Sequence, residues 1–482
     1  MKRTFMRFLA IIIILPSLAV GQSFRDDPRI ASALHLLELW LEAQSAYENI
    51  PGISIAVVHD QELLWAGGLG YADKEERKPA TPETIYGIGS ISKLFTGIAV
   101  LQLRDQGKLR LDDPVVKHLP WFNIKQTYPE GPPITIHGLL THSSGLPRDA
   151  DFPYWSAPYS EFPTREQIIQ TLANQATVYP ADAHFEYSNL GYALAGEIVT
   201  RVSGQDYADY IKQNILVPLG LDDTRPELPE EHKGGRLATG YSSITRDGIQ
   251  NKMPFFQAKG IVPAAGYSST VIDLARFASW QFRLIGGGKE EVLRANTLKE
   301  MQRFQWMDPN TTWGLGFTVW RSSGKSYVGH GGICAGYRSQ LTLQPQEKVA
   351  AVFLANSSGV NSWIYAQRAC EIVASAIAEA LGSPDTAEQP DPALRKYEGT
   401  YSSYPWGGES AVLIWKGSLA IVDFPTTNPL GGLEILKHIE GNRFRVIHSD
   451  GEPAAEETIF EMDSSGKVTR IWNESNFKPK VR

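Results

Sequence analysis

Apolar and polar positions recur with two different periods along the chain, and these periods predict where helices and strands lie. Residues 28–47 and 92–106 carry apolar side chains at spacings of three and four, which predicts two amphipathic helices. Between them, two apolar runs flank a turn at Asp60, a pattern typical of a β-hairpin. The N-terminal part is therefore predicted to run helix, hairpin, helix.

The middle of the chain is predicted to be helical, and strands return after it. Residues 107–260 have proline-rich and aromatic loops between shorter apolar-periodic segments. The later predicted elements are helices over 165–175 and 190–203, strands within 313–332 and 337–356, and a helix over roughly 361–381. Strands at both ends with helices between them predict an α+β fold, an α/β sandwich. Its antiparallel sheet is flanked by helices and interrupted by an inserted all-α region.

The C-terminal part has a different pattern. Residues 383–392 are rich in Pro, Asp and Ser and are interpreted as a linker. Residues 393–482 alternate short apolar strands with glycine-containing turns, which is typical of a small β-sandwich or β-barrel. The sequence thus predicts one domain over 28–382 and a second over 393–482.

Composition and charge exclude some classes of partner. The 482 residues are 42% hydrophobic and 21% charged, ordinary values for a globular protein and enough to bury one large core or two cores. The net charge is −7 and no basic run marks a nucleic-acid or membrane surface, so no nucleic-acid partner is predicted. The two cysteines, Cys334 and Cys370, are expected to be unpaired core thiols, although an oxidising compartment permits one bridge.

The first 21 residues have the pattern of a signal peptide. Basic residues at positions 2, 3 and 7 precede an apolar run over 8–20, which ends in small residues. That run is shorter than the roughly 18 apolar residues that span a bilayer, and it contains Pro16. We therefore expect export to the periplasm or the medium, with no stable membrane anchor after cleavage.

A serine and a lysine stand together in the stretch GIGSISKLF, residues 87–95. Ser90 falls at the first turn of the predicted helix, and Lys93, three positions on, lies on the same face. An amine whose pKa is lowered by burial can activate a serine hydroxyl, and a helix N-terminus stabilises a nearby anion. The alternative is a serine-capped helix whose lysine reaches solvent.

Two further stretches offer the other parts of an acyl-transfer site. FEYSNLGYALAG, residues 185–196, places Tyr187 and Asn189 on a turn before a helix, and a phenol near an ammonium can be held as a phenolate. The alternative is a packed tyrosine beside an asparagine cap. Both readings remain open on this stretch alone.

The second stretch, YVGHGGICAGYRS, follows His330 with Gly331 and Gly332 in a predicted strand. Glycines let a ligand lie against the backbone, so an extended substrate can pair with this strand and meet the N–H of Ile333. A β-bulge or a turn with an exposed histidine is the alternative. His137 and His142 form only a weak ligand pair, and neither a metal nor a cofactor is predicted.

The three stretches together resemble a known family. SISK, YSN and HGG resemble, in order and separation, the S-x-x-K, Y-x-N and K/H-x-G motifs of the serine β-lactamase and penicillin-binding family. The resemblance covers roughly residues 28–382. It is nearest to the class C-like branch, which also holds DD-peptidases, D-amino-acid peptidases and carboxylesterases.

This resemblance implies a role for each residue. Ser90 is implied as the acylated nucleophile, Lys93 and Tyr187 as the proton-transfer pair, and Asn189 as a contact of Lys93 and the substrate. The backbone N–H groups of Ser90 and Ile333 are implied as the oxyanion hole.

His330 stands where many β-lactamases have lysine. Without a permanent cation there, a peptidase or esterase is favoured over a β-lactamase. Residues 393–482 resemble the lipocalin-like barrel of several related peptidases. That barrel is expected to cover the cleft, to assemble oligomers or to bind a ligand, and the sequence does not choose among these.

The predicted function is an exported serine hydrolase that acts on a small amide or ester, such as a short peptide with a D-residue, and needs no cofactor. The alternatives are a β-lactamase and a non-catalytic penicillin-binding or sensor protein. A lipase-type α/β-hydrolase is disfavoured because no G-x-S-x-G stretch occurs.

Overall fold

A computed structural model of the chain describes residues 24–156, 161–308, 311–382, 391–447, 452–473 and 475–482. The predicted signal peptide and most of the predicted linker lie outside the described residues. None of the described helices has the length and hydropathy needed to cross a membrane.

The helices lie mainly in the middle of the chain. In chain order they are α1 (Pro28–Tyr47), α2 (Ser92–Asp105), α3 (Val115–His118), α4 (Ile136–Thr141), α5 (Arg165–Thr171), α6 (Asn189–Ser203), α7 (Tyr207–Ile211), α8 (Val217–Leu219), α9 (Val262–Ala265), α10 (Val271–Ile285), α11 (Ala295–Met301) and α12 (Ser362–Gly382). The predicted helices are confirmed within a few residues at each end. Ser90, however, precedes the first residue of α2 by two positions rather than lying within its first turn.

The strands form two groups, one within the first 355 residues and one after the linker. The first group is β1 (Gly52–His59), β2 (Glu62–Asp73), β3 (Lys78–Pro79), β4 (Tyr86–Gly89), β5 (Tyr267–Ser269), β6 (Trp306–Asp308), β7 (Thr311–Trp313), β8 (Thr318–Ser322), β9 (Lys325–Cys334), β10 (Tyr337–Gln344) and β11 (Val349–Ala355). The second group is β12 (Gly399–Ser402), β13 (Glu409–Trp415), β14 (Ser418–Phe424), β15 (Glu434–Glu440), β16 (Arg443–Ile447), β17 (Pro453–Met462), β18 (Val468–Asn473) and β19 (Asn476–Pro479).

The first group builds one antiparallel sheet from both ends of the domain. Among the described residues its order is β3-β2-β1-β11-β10-β9-β8-β7-β6, and β4 and β5 form a separate small pair. Strand β1 lies beside β11, with Ile53 opposite Ala355 and His59 opposite Val349. This arrangement confirms the predicted α+β sandwich, whose sheet joins N-terminal and C-terminal segments around an inserted helical region.

Helices cover both faces of the sheet, which explains why β1 is buried along most of its length. Ile55 and Val57 pack with α1 and α12, whereas Ala56 and Val58 face the core that contains α2, α6 and α10. Successive side chains of a strand point to opposite faces, so a strand covered on both sides is apolar at most positions. Cys334 and Cys370 are both buried free thiols, as expected.

The second group forms a small, nearly closed barrel in sequence order from β12 to β19. The chain just after β19 returns to β12, where the N–H of Val481 donates to Thr400 O at 2.8 Å. Aromatic and aliphatic side chains fill the interior, which packs as a core. These interior residues are Tyr397, Tyr401, Phe444, Phe460, Val468 and Ile471.

The barrel packs against α1 and α12, on the face of the sheet opposite the inserted helical region. Leu413, Val422 and Phe424 share one core with Trp40, and the Trp40 indole N–H donates to Thr426 O at 2.7 Å. No described residue of the barrel lines the cleft that contains Ser90. The expectation that the barrel covers this cleft is therefore not met within one described chain.

Candidate active site

Ser90 lies in the tight connection between β4 and α2, facing a cleft. The connection is held by Ser92, whose hydroxyl donates to Gly89 O at 2.6 Å and accepts from the Tyr267 N–H at 3.0 Å. Gly89 has φ +51°, a conformation that glycine adopts without strain. The sequence therefore presents the Ser90 hydroxyl on a short turn that is held by the hydrogen bonds of Ser92.

Lys93 is fully buried beneath Ser90, and its amine meets three acceptors. Nζ lies 3.2 Å from Ser90 Oγ, 2.7 Å from Asn189 Oδ1 and 2.8 Å from Ala264 O. Three acceptors match the three hydrogens of an ammonium group. The alternative of a lysine that reaches solvent is wrong, because no part of Lys93 is exposed.

Tyr187 lies on the turn just before α6 and also contacts Ser90. Its hydroxyl donates to Ser90 Oγ at 2.8 Å, and its ring lies 4.7 Å from Lys93 Nζ. His142 holds this turn in place: its O accepts from Glu186 N at 2.8 Å, its Nδ1 accepts from Ser188 N at 3.0 Å, and its ring packs on Tyr187 at 4.3 Å.

Burial changes the pKa values of Lys93 and Tyr187 in opposite directions. It lowers the pKa of Lys93 well below the ordinary value, with Arg148 as a further cause, and it raises the pKa of Tyr187. The expected phenolate is therefore disfavoured in the free protein, because a buried phenol keeps its proton. Lys93, rather than Tyr187, is the group whose neutral form burial favours.

The stretch around His330 forms an open edge of the sheet next to Ser90. Strand β8 pairs with β9 only as far as Gly329, so residues 330–334 have no β8 partner. Gly89 comes so close to β9 that a Cβ on it would lie 2.6 Å from Ile333 N. The backbone at Ser90 and that at Ile333 are thus brought side by side, as an oxyanion hole requires.

His330 is buried and uncharged. Burial, followed by the charge of Lys93, lowers the pKa of His330 to about 3, and its Nδ1 lies 2.5 Å from Gly331 O. The ring meets Trp313 edge-on with centroids 5.4 Å apart. The alternative of a solvent-facing histidine is wrong, and this position supplies no permanent cation.

The cleft has a volume of about 1190 Å³ and joins these groups. Its walls include Ser90, Arg148, Asp149, Tyr154, Trp155, Tyr187, Asn189, Ser242, Lys252, His330, Gly331, Gly332, Ile333, Arg338, Asn361 and Trp363. The aromatic stretch at 151–162 contributes to both cleft and core. Tyr154 and Trp155 line the cleft, whereas Phe162 belongs to the core, and residues 157–160 lie outside the described residues.

The cleft contains residues that were not predicted from the sequence, including the charged residues Arg148, Asp149 and Arg338. Arg148 and Asp149 follow the stretch LLTHSSGLP, and Arg338 stands opposite Ile333 in the β9–β10 register. The pair Arg148 and Asp149 could have been found from the sequence, because two charged residues directly follow a glycine-containing loop. Arg338 could not, because only the pairing of β9 with β10 shows that it lies opposite Ile333. No group of three or more His, Cys, Asp or Glu side chains that could hold a metal ion occurs in the described part of the chain.

Comparisons with known proteins agree with this geometry. A model of the Beta-lactamase family matches residues 37–369. The chain is 25% identical over 448 residues to Beta-lactamase-like protein 2 of Dictyostelium discoideum, which covers 88% of this chain and 78% of that protein.

Two solved structures share most of the fold. The octameric penicillin-binding protein homologue of Pyrococcus abyssi is 29% identical with a TM-score of 0.62, covering 93% of this chain and 100% of that chain. The D-amino acid amidase of Ochrobactrum anthropi SV3 is 25% identical with a TM-score of 0.59, covering 73% and 99%. With the family model matching more than half of its length, this chain belongs to the Beta-lactamase family.

Proposed function

We propose that the protein is an exported serine hydrolase that cleaves a small amide or ester through an acyl-enzyme. The observation that carries this proposal is the placement of Ser90 Oγ, 2.8 Å from the Tyr187 hydroxyl and 3.2 Å from Lys93 Nζ. A serine that contacts a buried amine and a buried phenol has both a base and an acid within reach. Export rests on the sequence pattern of residues 1–21.

Acylation begins with attack of Ser90 Oγ on the substrate carbonyl carbon. The new Oγ–C bond forms as neutral Lys93 takes the hydroxyl proton, and the carbonyl oxygen becomes an oxyanion between the N–H groups of Ser90 and Ile333. The bond to the leaving nitrogen or oxygen then breaks. Tyr187 donates its proton to that atom and is reprotonated from Lys93.

Deacylation repeats these steps with water. A water molecule attacks the acyl carbon while neutral Lys93 takes one of its protons, directly or by relay through the Tyr187 hydroxyl. When the tetrahedral intermediate collapses, the bond from the acyl carbon to Ser90 Oγ breaks and the proton returns from Lys93 to Oγ. The proton-transfer pair therefore ends each cycle as it began, and the reaction consumes no cofactor.

The substrate is proposed to be an amide or ester of modest size, including amides of D-amino acids. The D-amino acid amidase supports this class by its name and by 25% identity over 73% of this chain. The 1190 Å³ cleft, with Trp155 on its wall, has room for a residue with an aromatic side chain. D-Phenylalanine amide is therefore a suitable first substrate.

Two other functions differ from this one in measurable ways. A β-lactamase releases hydrolysed cephalosporin with rapid turnover, whereas the proposed hydrolase is acylated by it only slowly. A binding or sensor protein forms a stable Ser90 adduct that does not deacylate. Association into oligomers also remains a proposal, supported by the octameric homologue, and analytical ultracentrifugation measures it.

The decisive experiment is intact-protein mass spectrometry after treatment with a fluorophosphonate, followed by peptide mapping. We expect one adduct on Ser90 and hydrolysis of D-phenylalanine amide by the untreated protein. S90A should lose both, whereas S32A, which removes the hydroxyl of half-buried Ser32 on α1, away from the cleft, should keep both. An adduct that persists in S90A, or hydrolysis that survives it, would contradict the assignment.

A further inference from the structure

A single carboxylate oxygen of Asp149 accepts three hydrogen bonds. Its Oδ1 accepts from Asn189 Nδ2 at 2.8 Å, from the Tyr154 hydroxyl at 2.6 Å and from the Trp155 indole N–H at 3.1 Å. Its second oxygen lies 3.6 Å from Arg148 Nε. An ionised carboxylate only accepts hydrogen bonds, so all three donors must point toward it.

This contact determines which way the Asn189 side chain faces. An amide has one end that accepts and one that donates, and the donor end is held by Asp149. The acceptor end, Oδ1, is then left to face Lys93 Nζ at 2.7 Å. If the amide turned over, its NH₂ group would face the lysine amine, and Lys93 would lose one of its three acceptors.

We infer that Asp149 is a positioning residue, which orients Asn189 and through it holds Lys93 against Ser90. This inference rests on the proposed function. Asp149 makes no hydrogen bond to Ser90 or to Lys93, so its effect on the serine passes through Asn189. The same carboxylate also anchors Tyr154 and Trp155 on the cleft wall, and it thereby links the wall that meets a substrate to the residue that activates the serine.

The charge of Asp149 adds a second, measurable effect. Arg148 lowers the pKa of Lys93 and Asp149 raises it, while burial lowers it most. The other groups that face Lys93 are Tyr187 and Tyr192 from α6 and its turn, His142 after α4, and His330 on β9. Loss of the Asp149 charge should therefore move the pH at which Lys93 becomes a base to a lower value.

The test is the rate of fluorophosphonate labelling of Ser90 across a range of pH, measured in a double-mutant cycle. D149N keeps the shape of the side chain but removes the charge and allows the Asn189 amide to turn over. We expect labelling about 10- to 100-fold slower, since a small misplacement of a reacting group costs this much. The rising limb of the pH profile should also shift to lower pH.

The cycle separates positioning from general structural damage. In an N189A background D149N should add little further loss, because the group through which Asp149 acts is gone. D149E, which retains the charge and the acceptor oxygens, should recover part of the rate. D151N, which removes the same charge at an exposed position two residues away, should label like the wild type.

Three results would overturn the inference. The first is a D149N variant with the labelling rate and pH profile of the wild type. The second is a D149N substitution that slows labelling as much in the N189A background as in the wild type. The third is a Y154F/W155F variant, which lacks only the cleft-wall donors to Asp149, that labels as slowly as D149N. A wild-type protein that is not labelled at Ser90 would contradict the proposed function itself, so the two failures are distinguishable.

Discussion

The backbone of Gly89 lies against Ile333, so that a Cβ at residue 89 would stand 2.6 Å from Ile333 N and 2.9 Å from Ile333 O. Two segments more than 200 residues apart in sequence thereby place the Ser90 turn beside the open edge of β9. In the proposed mechanism each segment supplies one N–H group of the oxyanion hole. Their close approach depends on glycines that leave room for it.

The two glycines after His330 should respond differently to alanine. A Cβ at Gly332 would meet Ile88 O at 1.9 Å, and backbone cannot move aside without displacing the Ser90 turn. A Cβ at Gly331 would meet only the side-chain oxygen of Gln340, at 2.7 Å. We expect G332A to lose Ser90 labelling and about 1–3 kcal/mol of unfolding free energy, as overpacking does.

G331A is the matched control, because the Gln340 side chain can rotate away. Urea unfolding and the labelling rate measure both variants. Similar behaviour of the two would show that the approach of β4 to β9 is not what positions Ser90.

His142 should be replaceable by asparagine but not by phenylalanine. It has φ +61° and accepts the Ser188 N–H on Nδ1, and asparagine tolerates this conformation and offers an acceptor. Phenylalanine keeps a ring against Tyr187 but leaves the buried N–H unpaired, at a cost of about 1–3 kcal/mol. Thermal unfolding and labelling should rank H142N above H142F, and the reverse order would mean that ring packing matters more.

Acid should destabilise the protein partly through His330. The folded protein holds this side chain neutral, with its pKa lowered to about 3 from 6.5, so the unfolded chain binds the extra proton between these values. Stability is therefore lost as pH falls from 6.5 toward 3, by about 2–3 kcal/mol at pH 4.5. Urea titrations of H330Q should show a shallower fall in this window, and an unchanged slope would refute the assignment.

Buried His142, whose pKa is also lowered, should likewise reduce the stability of the folded protein as the pH falls. H330Q should therefore remove only part of the acid sensitivity. The remaining slope measures the contribution of other groups.

Arg338 should govern acylation by anionic β-lactams. Of the cations on the cleft wall, Arg148 pairs with Asp149 and Lys252 with Asp73, but none of the ion pairs among the described residues includes Arg338. A charged hydrogen bond contributes about 1.5–3 kcal/mol, so R338Q should slow benzylpenicillin acylation about 10- to 100-fold. K252Q, which removes the same charge from a paired lysine, should slow it less.

Stopped-flow mass spectrometry of the acyl-enzyme gives both rates. Equal effects of the two variants would indicate that the cleft attracts the carboxylate by its total charge. A neutral penicillin ester should be insensitive to R338Q if Arg338 contacts the carboxylate directly.

Much of the fold was predictable because its signals are local. The bounds of α1 and α2, the hairpin turn at Asp60 and the change of pattern after residue 382 follow from apolar periodicity and turn residues. The position of Ser90 was misjudged by less than one turn, since the connection from β4 tightens just before α2. The protonation state of Tyr187 does not follow from its motif, because burial, which raises its pKa, depends on the tertiary structure.

The sequence by itself determined the elements, their order, and the three short motifs that contain Ser90, Tyr187 and His330. Only the tertiary structure decided which groups touch, which charges are buried and which are paired. It placed Asp149 under Asn189, His142 on Tyr187 and Arg338 across from Ile333, at sequence separations of 40, 45 and 5 residues. Burial and pairing arise from contacts between distant segments, and these contacts set proton affinities and orientations that no local pattern encodes.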